Sequence, residues 1–550
     1  MIYTLKMLHK ISILRMCLKF IIIIISIIIM KRAIVGYTGF VGSNLLQFYK
    51  FDYFYNSKNF QEAKNMEFDE LYFCGVPAVK WYANKFPDED GAVLYNLRTI
   101  LKTIKANKII LISTIDVYEY TNCKLDEDYD CNIFNNHTYG VNRYLFEDFV
   151  KTHFENYHII RLPALFGKGL KKNIVYDLIN NNQIENISKD TFFQWYDLNW
   201  LKNDIDIIMK HNIRICNLFT EPLSSVEIIK LFDYPMEEFK NKSKLIYNIR
   251  TKYSNLFGSS VEGYIRDKQS VLHNLRLFLK FNKIDKSQLV VSNICIKNIS
   301  QFQFACILKL FGITNVQIAP TTLINNCDNL QNISFNDYTD NGINIYSFQS
   351  ITFGLNNLNI FDKNTSELLL EHLKKVIDIG IQNDVKVFVF GCPRNRKILD
   401  LDSISNNNEI FYDFFRKLGD YIGDNKLKIC IEPNSKQYGC NYINTIKEAG
   451  ELVREINHKN IKMMVDIGNA SMENDNIDDI YNYKDIIYNI DIAHENMLDF
   501  STTKSYHKDF IKVLKNINYK NKINLEMLIK NEEDELMILY KSLYNYIFLR

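Results

Sequence analysis

Short apolar runs alternate with longer amphipathic stretches from about residue 31 to 166; Glu70-Leu71-Tyr72-Phe73-Cys74 and Lys108-Ile109-Ile110-Leu111-Ile112-Ser113 are examples. Brief apolar runs bounded by polar residues predict strands, and strands alternating with helices predict a parallel, doubly wound sheet. Residues 170–280 are mixed and more helical, which suits a small substrate-binding cap. A second series of apolar runs begins near Gln288, at 289–293, 316–319, 343–347, 385–390, 427–432, 461–466, 486–491 and 523–526. Eight such runs, most of them separated by helix-like stretches, predict a (β/α)8 barrel. The chain is therefore α/β throughout, with a doubly wound domain at 30–280 and a barrel at 288–550. The boundary is soft between 270 and 288, and no Gly/Ser/Pro linker marks it. A chain of 550 residues is too long for one ordinary core, in keeping with this division.

Residues 20–29 are apolar apart from Ser26 and follow Arg15 and Lys19. The run is short for a membrane span, and the next residues, Lys31-Arg32-Ala33-Ile34-Val35-Gly36, already read as a first strand. Met30 is therefore read as the true start, placing the protein in the cytoplasm. A hydrophobic anchor at 1–29 is the alternative. The net charge of +2 gives no bulk attraction for nucleic acid. The 11 cysteines include no C-x-x-C pair, and their scattered spacing fits a reducing compartment.

Gly36-Tyr37-Thr38-Gly39-Phe40-Val41-Gly42 follows the first strand and opens a helix. The first glycine permits a tight turn, the second lets backbone approach a pyrophosphate, and the third lets helix and strand pack closely. The N–H groups of the helix start, including Phe40 and Val41, would face the phosphates. About twenty positions further on stands Tyr55-Asn56-Ser57-Lys58, with no carboxylate to select the NAD ribose, so NAD and NADP both remain open. This Rossmann segment resembles the NAD(P)-dependent epimerase/dehydratase family of extended short-chain dehydrogenases/reductases. Ser113-Thr114-Ile115-Asp116-Val117-Tyr118 resembles the family's Ser/Thr motif, which implies that Thr114 hydrogen-bonds a substrate hydroxyl or carbonyl. Tyr139-Gly140-Val141-Asn142-Arg143 resembles its Tyr-x-x-x-Lys motif, which implies that Tyr139 is the acid/base and that the neighbouring cation favours its phenolate. Position 143 is Arg rather than Lys, and a guanidinium does not reach a cofactor ribose in the same way. The resemblance continues through Arg161-Leu162-Pro163-Ala164-Leu165-Phe166-Gly167, Asn173 (a substrate-side position) and Asn217-Leu218-Phe219-Thr220-Glu221-Pro222, read as a later strand of the cap.

In the second half, four consecutive predicted strands deliver Glu432, Asp466, His494 and Glu526 at the same end. In a barrel those ends converge on the face that carries active sites. Oxygen donors with an imidazole suit Mn²⁺, or Zn²⁺, Co²⁺ or Mg²⁺. Ile431-Glu432-Pro433-Asn434, Val465-Asp466-Ile467-Gly468-Asn469 and Asn524-Leu525-Glu526-Met527 resemble the xylose-isomerase-like sugar phosphate isomerases/epimerases. That resemblance implies a TIM barrel whose metal holds two adjacent substrate oxygens and stabilises an enediolate, with Glu432 and Glu526 as metal ligands that also act as acid and base. Asp491 is an alternative to His494 as the third ligand, and the family's second-shell His is replaced by Asn469. Gln349, Arg394 and Arg396 also follow predicted strands and would shape the pocket.

Together these readings describe a two-site carbohydrate enzyme acting on a sugar or nucleotide sugar, with no nucleic-acid partner. A homodimer is expected only by analogy with the first family. The alternatives are a cofactor-sensing Rossmann module that regulates the barrel, and a metal-dependent endonuclease-like barrel. The near-neutral charge and only 10 His disfavour the last.

Overall fold

The computed structural model describes residues 30–131, 134–242, 244–324, 330, 332–398 and 404–549. Residues 1–29, and with them the choice between a start at Met30 and an anchor, lie outside this set. The chain divides into two compact units, one ending at Leu279 and the other beginning at Lys280.

The first unit contains strands β1 (Arg32–Val35), β2 (Tyr53–Tyr55), β3 (Glu67–Phe73), β4 (Lys105–Thr114), β5 (Tyr157–Leu162), β6 (Ala164–Phe166), β7 (Phe192–Phe193), β8 (Trp195–Asp197), β9 (Ile215–Asn217) and β10 (Leu223–Ser224). Six of them form a parallel sheet in the order β2-β1-β3-β4-β5-β9. The apolar runs noted in the sequence are its central strands; Leu71, Tyr72, Phe73, Ile109 and Ile110 have no solvent exposure. Central parallel strands are covered on both faces, which is why they read as continuous apolar runs. The strand order reverses between β1 and β3, and ligands of open α/β sheets bind beyond the strand ends at such a point. The segment from Asn217, expected in the cap, departs from expectation. Ile215–Asn217 pairs with β5 at Ile159↔Ile215 and completes the main sheet. Its buried Cys216 and Asn217 belong to the sheet's edge. The cap is built instead from the small sheets β6-β8 and β7-β10 and short helices, around Phe166, Trp195, Leu223 and Leu275.

The second unit is a closed barrel of eight parallel strands in sequence order: β11 (Leu289–Ser292), β12 (Asn315–Ile318), β13 (Asn344–Phe348), β14 (Val387–Phe390), β15 (Lys428–Ile431), β16 (Ile461–Asp466), β17 (Ile487–Ile492) and β18 (Ile523–Leu525). Each run read from the sequence is one strand. Side chains alternate between lumen and helix-facing sides. Val387, Val389, Cys430 and Met464 meet in the lumen. Phe388 and Phe390 point outward, Phe390 packing edge-on against Phe415 of the helix Ile404–Ile422 at 4.9 Å. Among the described residues, no helix is long and apolar enough to cross a membrane.

Phe388 is fully buried and stacks on Phe348 with ring centroids 5.4 Å apart. Phe388→Ala is expected to cost about 3–5 kcal/mol, read from the midpoint of chemical denaturation. A cost below about 1 kcal/mol would mean that this outer layer does not hold the barrel.

Candidate functional sites

At the barrel mouth, strand parity decides which acids meet. Residues two apart on a strand share a face. Glu432 stands two residues after Cys430, Asp466 two after Met464, Asp491 two after Asn489, and Glu526 two after Asn524. Cys430 and Met464 line the lumen, and Asn489 reaches Met464 Sδ at 3.9 Å. Glu432 and Glu526 lie one residue beyond their strands yet stay in the ladder, donating N–H bonds of 3.1 Å to Phe390 and Ile492 carbonyls. Asp466 and Asp491 are direct register partners on β16 and β17. All four carboxylates are buried.

His494 lies three residues after Asp491, on the opposite parity, and is directed elsewhere. Its Nε2 lies 2.8 Å from the Thr502 carbonyl, its Nδ1 lies 3.3 Å from the Tyr506 hydroxyl, and its ring packs against Phe500 and His507. The structure thus gathers Glu432, Asp466, Asp491 and Glu526 and leaves His494 outside the group; of the two alternatives, Asp491 holds the lumen position.

Four buried carboxylates repel one another, and the shifts in their acidity follow. Burial first, then Asp466 and Asp491, pushes Glu432 well above the usual carboxylate range. Burial, then Asp491, Asp466 and Glu432, does the same to Glu526. Asp491 is pushed up to about 8 by burial and Asp466. Asp466 reaches about 6, as burial is partly offset by N–H bonds from Asn469 and Gly468 and by a hydrogen bond with Glu526. Neutral donors orient the group. Asp466 Oδ1 accepts from Gly468 N (2.6 Å) and Asn469 N (3.0 Å), Asn469 Nδ2 donates to Glu432 Oε1 (3.0 Å), and Gln349 Nε2 donates to Glu526 Oε1 (2.7 Å). Arg396 is fully buried and donates to Asn434 Oδ1 at 2.8 Å. Its positive charge favours ionised Glu432. Arg394 is exposed.

Such an all-oxygen donor set, rich in buried negative charge, fits a hard divalent cation in chemistry. As placed, no three His, Cys, Asp or Glu side chains among the described residues enclose a metal position. Tyr438, which nothing in the sequence singled out, stands near the mouth and is pushed to about 12 by burial and then by Asp466, Glu526 and Glu432.

In the first unit the glycines behave as the motif requires. Gly36 adopts φ +86° at the end of β1, where a Cβ would run into the Cys74 carbonyl. A Cβ on Gly42 would overlap the Gly36 carbonyl oxygen, whereas one on Gly39 would meet only that oxygen, at 3.1 Å. The backbone at Gly39 is thus open on its outer side, ahead of the short helix Phe40–Leu45 that Phe40 and Val41 begin. At the end of β2, Asn56 donates to the Tyr37 hydroxyl at 3.1 Å, and Lys58 is exposed.

Thr114 ends β4; its hydroxyl accepts from Asp116 N at 3.2 Å and favours the Tyr139 phenolate. The expected lowering of Tyr139 is not found. Burial pushes Tyr139 up to about 12, and Arg143 offsets this only in part. The reason is the placement of Arg143. Its guanidinium lies over the Tyr139 ring at 4.0 Å, forks onto both oxygens of buried Asp90, and donates to the Pro77 carbonyl. Asn173 caps its own helix, accepting from Val175 and Tyr176 N–H and donating to the Leu165 carbonyl.

Beside Tyr139 is a polar cluster that sequence reading missed. Asp116 Oδ1 receives Lys80 Nζ at 2.7 Å and the Tyr247 hydroxyl at 2.8 Å, with His137 Nε2 at 3.8 Å. Burial would raise Asp116, but His137, Lys80 and Tyr247 outweigh it and hold the carboxyl at about 2. Asp116 was visible within the Thr114 motif. Lys80 and Tyr247 come from distant segments and carry no local signal.

Residues 336–541 match the family described as the xylose isomerase-like TIM barrel, wholly within the second unit. No curated protein matches the chain. Among solved structures, 3-keto-D-glucoside 4-epimerase from E. coli is similar at 15% identity, covering 48% of this chain and 100% of its own, with a TM-score of 0.40. D-psicose 3-epimerase from Clostridium cellulolyticum H10 is similar at 13% identity, 48% and 98% coverage and a TM-score of 0.40. An NAD-dependent NDP-hexosamine 5,6-dehydratase of tunicamycin biosynthesis is similar at 14% identity, 46% and 97% coverage and a TM-score of 0.37.

The acidity shifts set a pH dependence. An unfolded carboxyl titrates near 4, whereas Asp466 and Asp491 do so at about 6 and about 8 in the fold. The folded state therefore binds more protons between these limits, and their contribution to stability is full at low pH and lost as pH rises through 6 to 8. Without divalent metal, the barrel's melting temperature is expected to fall between pH 5 and 8.5, and to fall less in Asp491→Asn. Equal slopes in the two proteins would show that Asp491 is not the strained group.

Proposed function

We propose that the barrel is a metal-dependent sugar isomerase or epimerase, and that the first unit binds NAD or NADP and acts on a sugar or nucleotide sugar. The observation that carries the barrel reading is the set of four buried carboxylates on consecutive lumen positions of β15–β18, inside the segment that matches the xylose isomerase-like family. Glu432, Asp466, Asp491 and Glu526 would hold the cation, which when bound polarises a substrate carbonyl and offsets the charge of the acids. Glu432 and Glu526 stand on separate strands, as a proton transfer between opposite faces of one substrate carbon requires. One takes the proton from the carbon next to the carbonyl, and the other returns a proton from the opposite side. Asn469 and Gln349 hydrogen-bond these two carboxylates.

In the first unit, Gly36, Gly39 and Gly42 form a backbone cradle that fits a dinucleotide pyrophosphate, with Gly39 on the open side. Asn56, a neutral amide at the ribose end, suits either NAD or NADP. Thr114, Tyr139 and Asp116 face the substrate side, with Tyr139 as a protonated donor. The Arg143–Asp90 fork favours a second reading of this unit, as a module that binds cofactor without turnover, because Arg143 is committed to a structural pair.

Metal analysis of protein from Met30 onward tests the barrel. Wild type is expected to retain about one Mn²⁺ or another divalent ion, and Glu432→Gln and Glu526→Gln to lose both the metal and sugar epimerisation. A wild type that takes up no metal when supplied with it would remove the barrel reading. For the first unit, calorimetry with NAD⁺ and NADP⁺ is expected to show binding that Gly36→Val abolishes. Equal binding by wild type and variant would place the cofactor elsewhere.

A further inference from the structure

The amide of Gln349 belongs to a hydrogen-bond chain that ends on the carboxyl groups of Glu526 and Asp491. Gln349 follows β13 and is 4% exposed. Its Nε2 donates to Glu526 Oε1 at 2.7 Å. Its Oε1 accepts from the Ser292 hydroxyl at 2.5 Å and from Gln317 Nε2 at 2.6 Å. The Gln317 amide also faces Asp491 Oδ2 at 3.5 Å, while its own Oε1 accepts from the Ser347 hydroxyl at 2.7 Å. Ser292, Gln317 and Ser347 are fully buried.

In the ionised state that a cation would bind, a carboxylate only accepts hydrogen bonds, so each amide must then turn its NH₂ toward the acid and its oxygen toward another donor. The chain supplies those donors: two on Gln349 and one on Gln317. With Glu526 ionised, the Gln349 amide cannot flip without setting its oxygen against Glu526 and leaving Ser292 and Gln317 without an acceptor, at the cost of unsatisfied buried groups. The lumen is polar on β11–β13 along this chain and apolar at Val387, Val389, Cys430 and Met464 on β14–β16. The polar side thus reaches from β11 across to the acids of β17 and β18, and Gln349 is where it touches Glu526.

We propose that Gln349 is a positioning residue that holds Glu526 for cation binding, with Ser292 and Gln317 fixing its amide. This rests on the barrel reading above. The expected size follows from partners of metal ligands elsewhere, whose loss weakens metal binding by about 10–100-fold.

The test is calorimetric titration of the full chain with Mn²⁺ alone, at one pH, for wild type, Gln349→Leu and Ser292→Ala. Ser292→Ala removes one small hydroxyl and leaves the amide held by Gln317, so it tests the chain even if Gln349→Leu does not fold. Gln349→Leu is expected to bind about 10–100-fold more weakly, and Ser292→Ala to bind more weakly than wild type but by less than Gln349→Leu, because it removes a bond to the amide and not to the acid. The visible bands of bound Co²⁺ give the second readout. They are expected to change in Gln349→Leu, because Glu526 no longer takes the same position, whereas a general loss of stability would leave the spectrum of the bound ion unaltered. If wild type binds Mn²⁺ and the folded variants match it in affinity and spectrum, the role of Gln349 is overturned and the barrel reading stands. If wild type binds no Mn²⁺, the barrel reading falls and this assignment falls with it.

Discussion

Mutual repulsion among Glu432, Asp466, Asp491 and Glu526 is the constraint on which the second unit is organised. Like charges so close together and out of water are tolerated only when protonated, matched by a cation or braced by donors. The structure shows the bracing: two N–H groups at the start of a helix on Asp466, the Asn469 amide on Glu432 and the Gln349 amide on Glu526. It also shows the strain that remains, in carboxyls whose affinity for protons is raised by burial and by one another. A site that holds protons this firmly is one that a divalent cation would enter in competition with them.

The first unit solves a different electrostatic problem. Its helix cation is used internally, since Arg143 and Asp90 are both buried and neutralise each other. Removing either partner would leave the other charge buried and alone, so the pair is a fixed part of the fold rather than a group free to act. A second ion pair, half-exposed Lys80 with largely buried Asp116, is tied to Tyr247.

Much of this architecture was legible along the chain. Continuous apolar runs located the central strands because strands covered on both faces have no polar side to display. The glycines at 36, 39 and 42 were legible because each position excludes or crowds a Cβ for a local reason of turn and packing. Glu432, Asp466 and Glu526 were legible because each directly follows or ends an apolar run. His494 was the tempting fourth, as a lone imidazole after a strand. Counting by twos from Asn489 puts Asp491, the alternative to His494, on the lumen side.

What the sequence determined by itself was therefore local: which segments become strands, where they end, and which acids those ends carry. Residue order and strand periodicity suffice for that, because they act over a few positions. Tertiary structure alone decided the partners. Asp90 reaches Arg143 across 53 positions, Lys80 and Tyr247 meet at Asp116 from opposite ends of the first unit, and Gln349 meets Glu526 across 177 positions. Those contacts exist only once the sheet and the barrel have formed, and they decide whether a charge is spent on the fold or kept for chemistry.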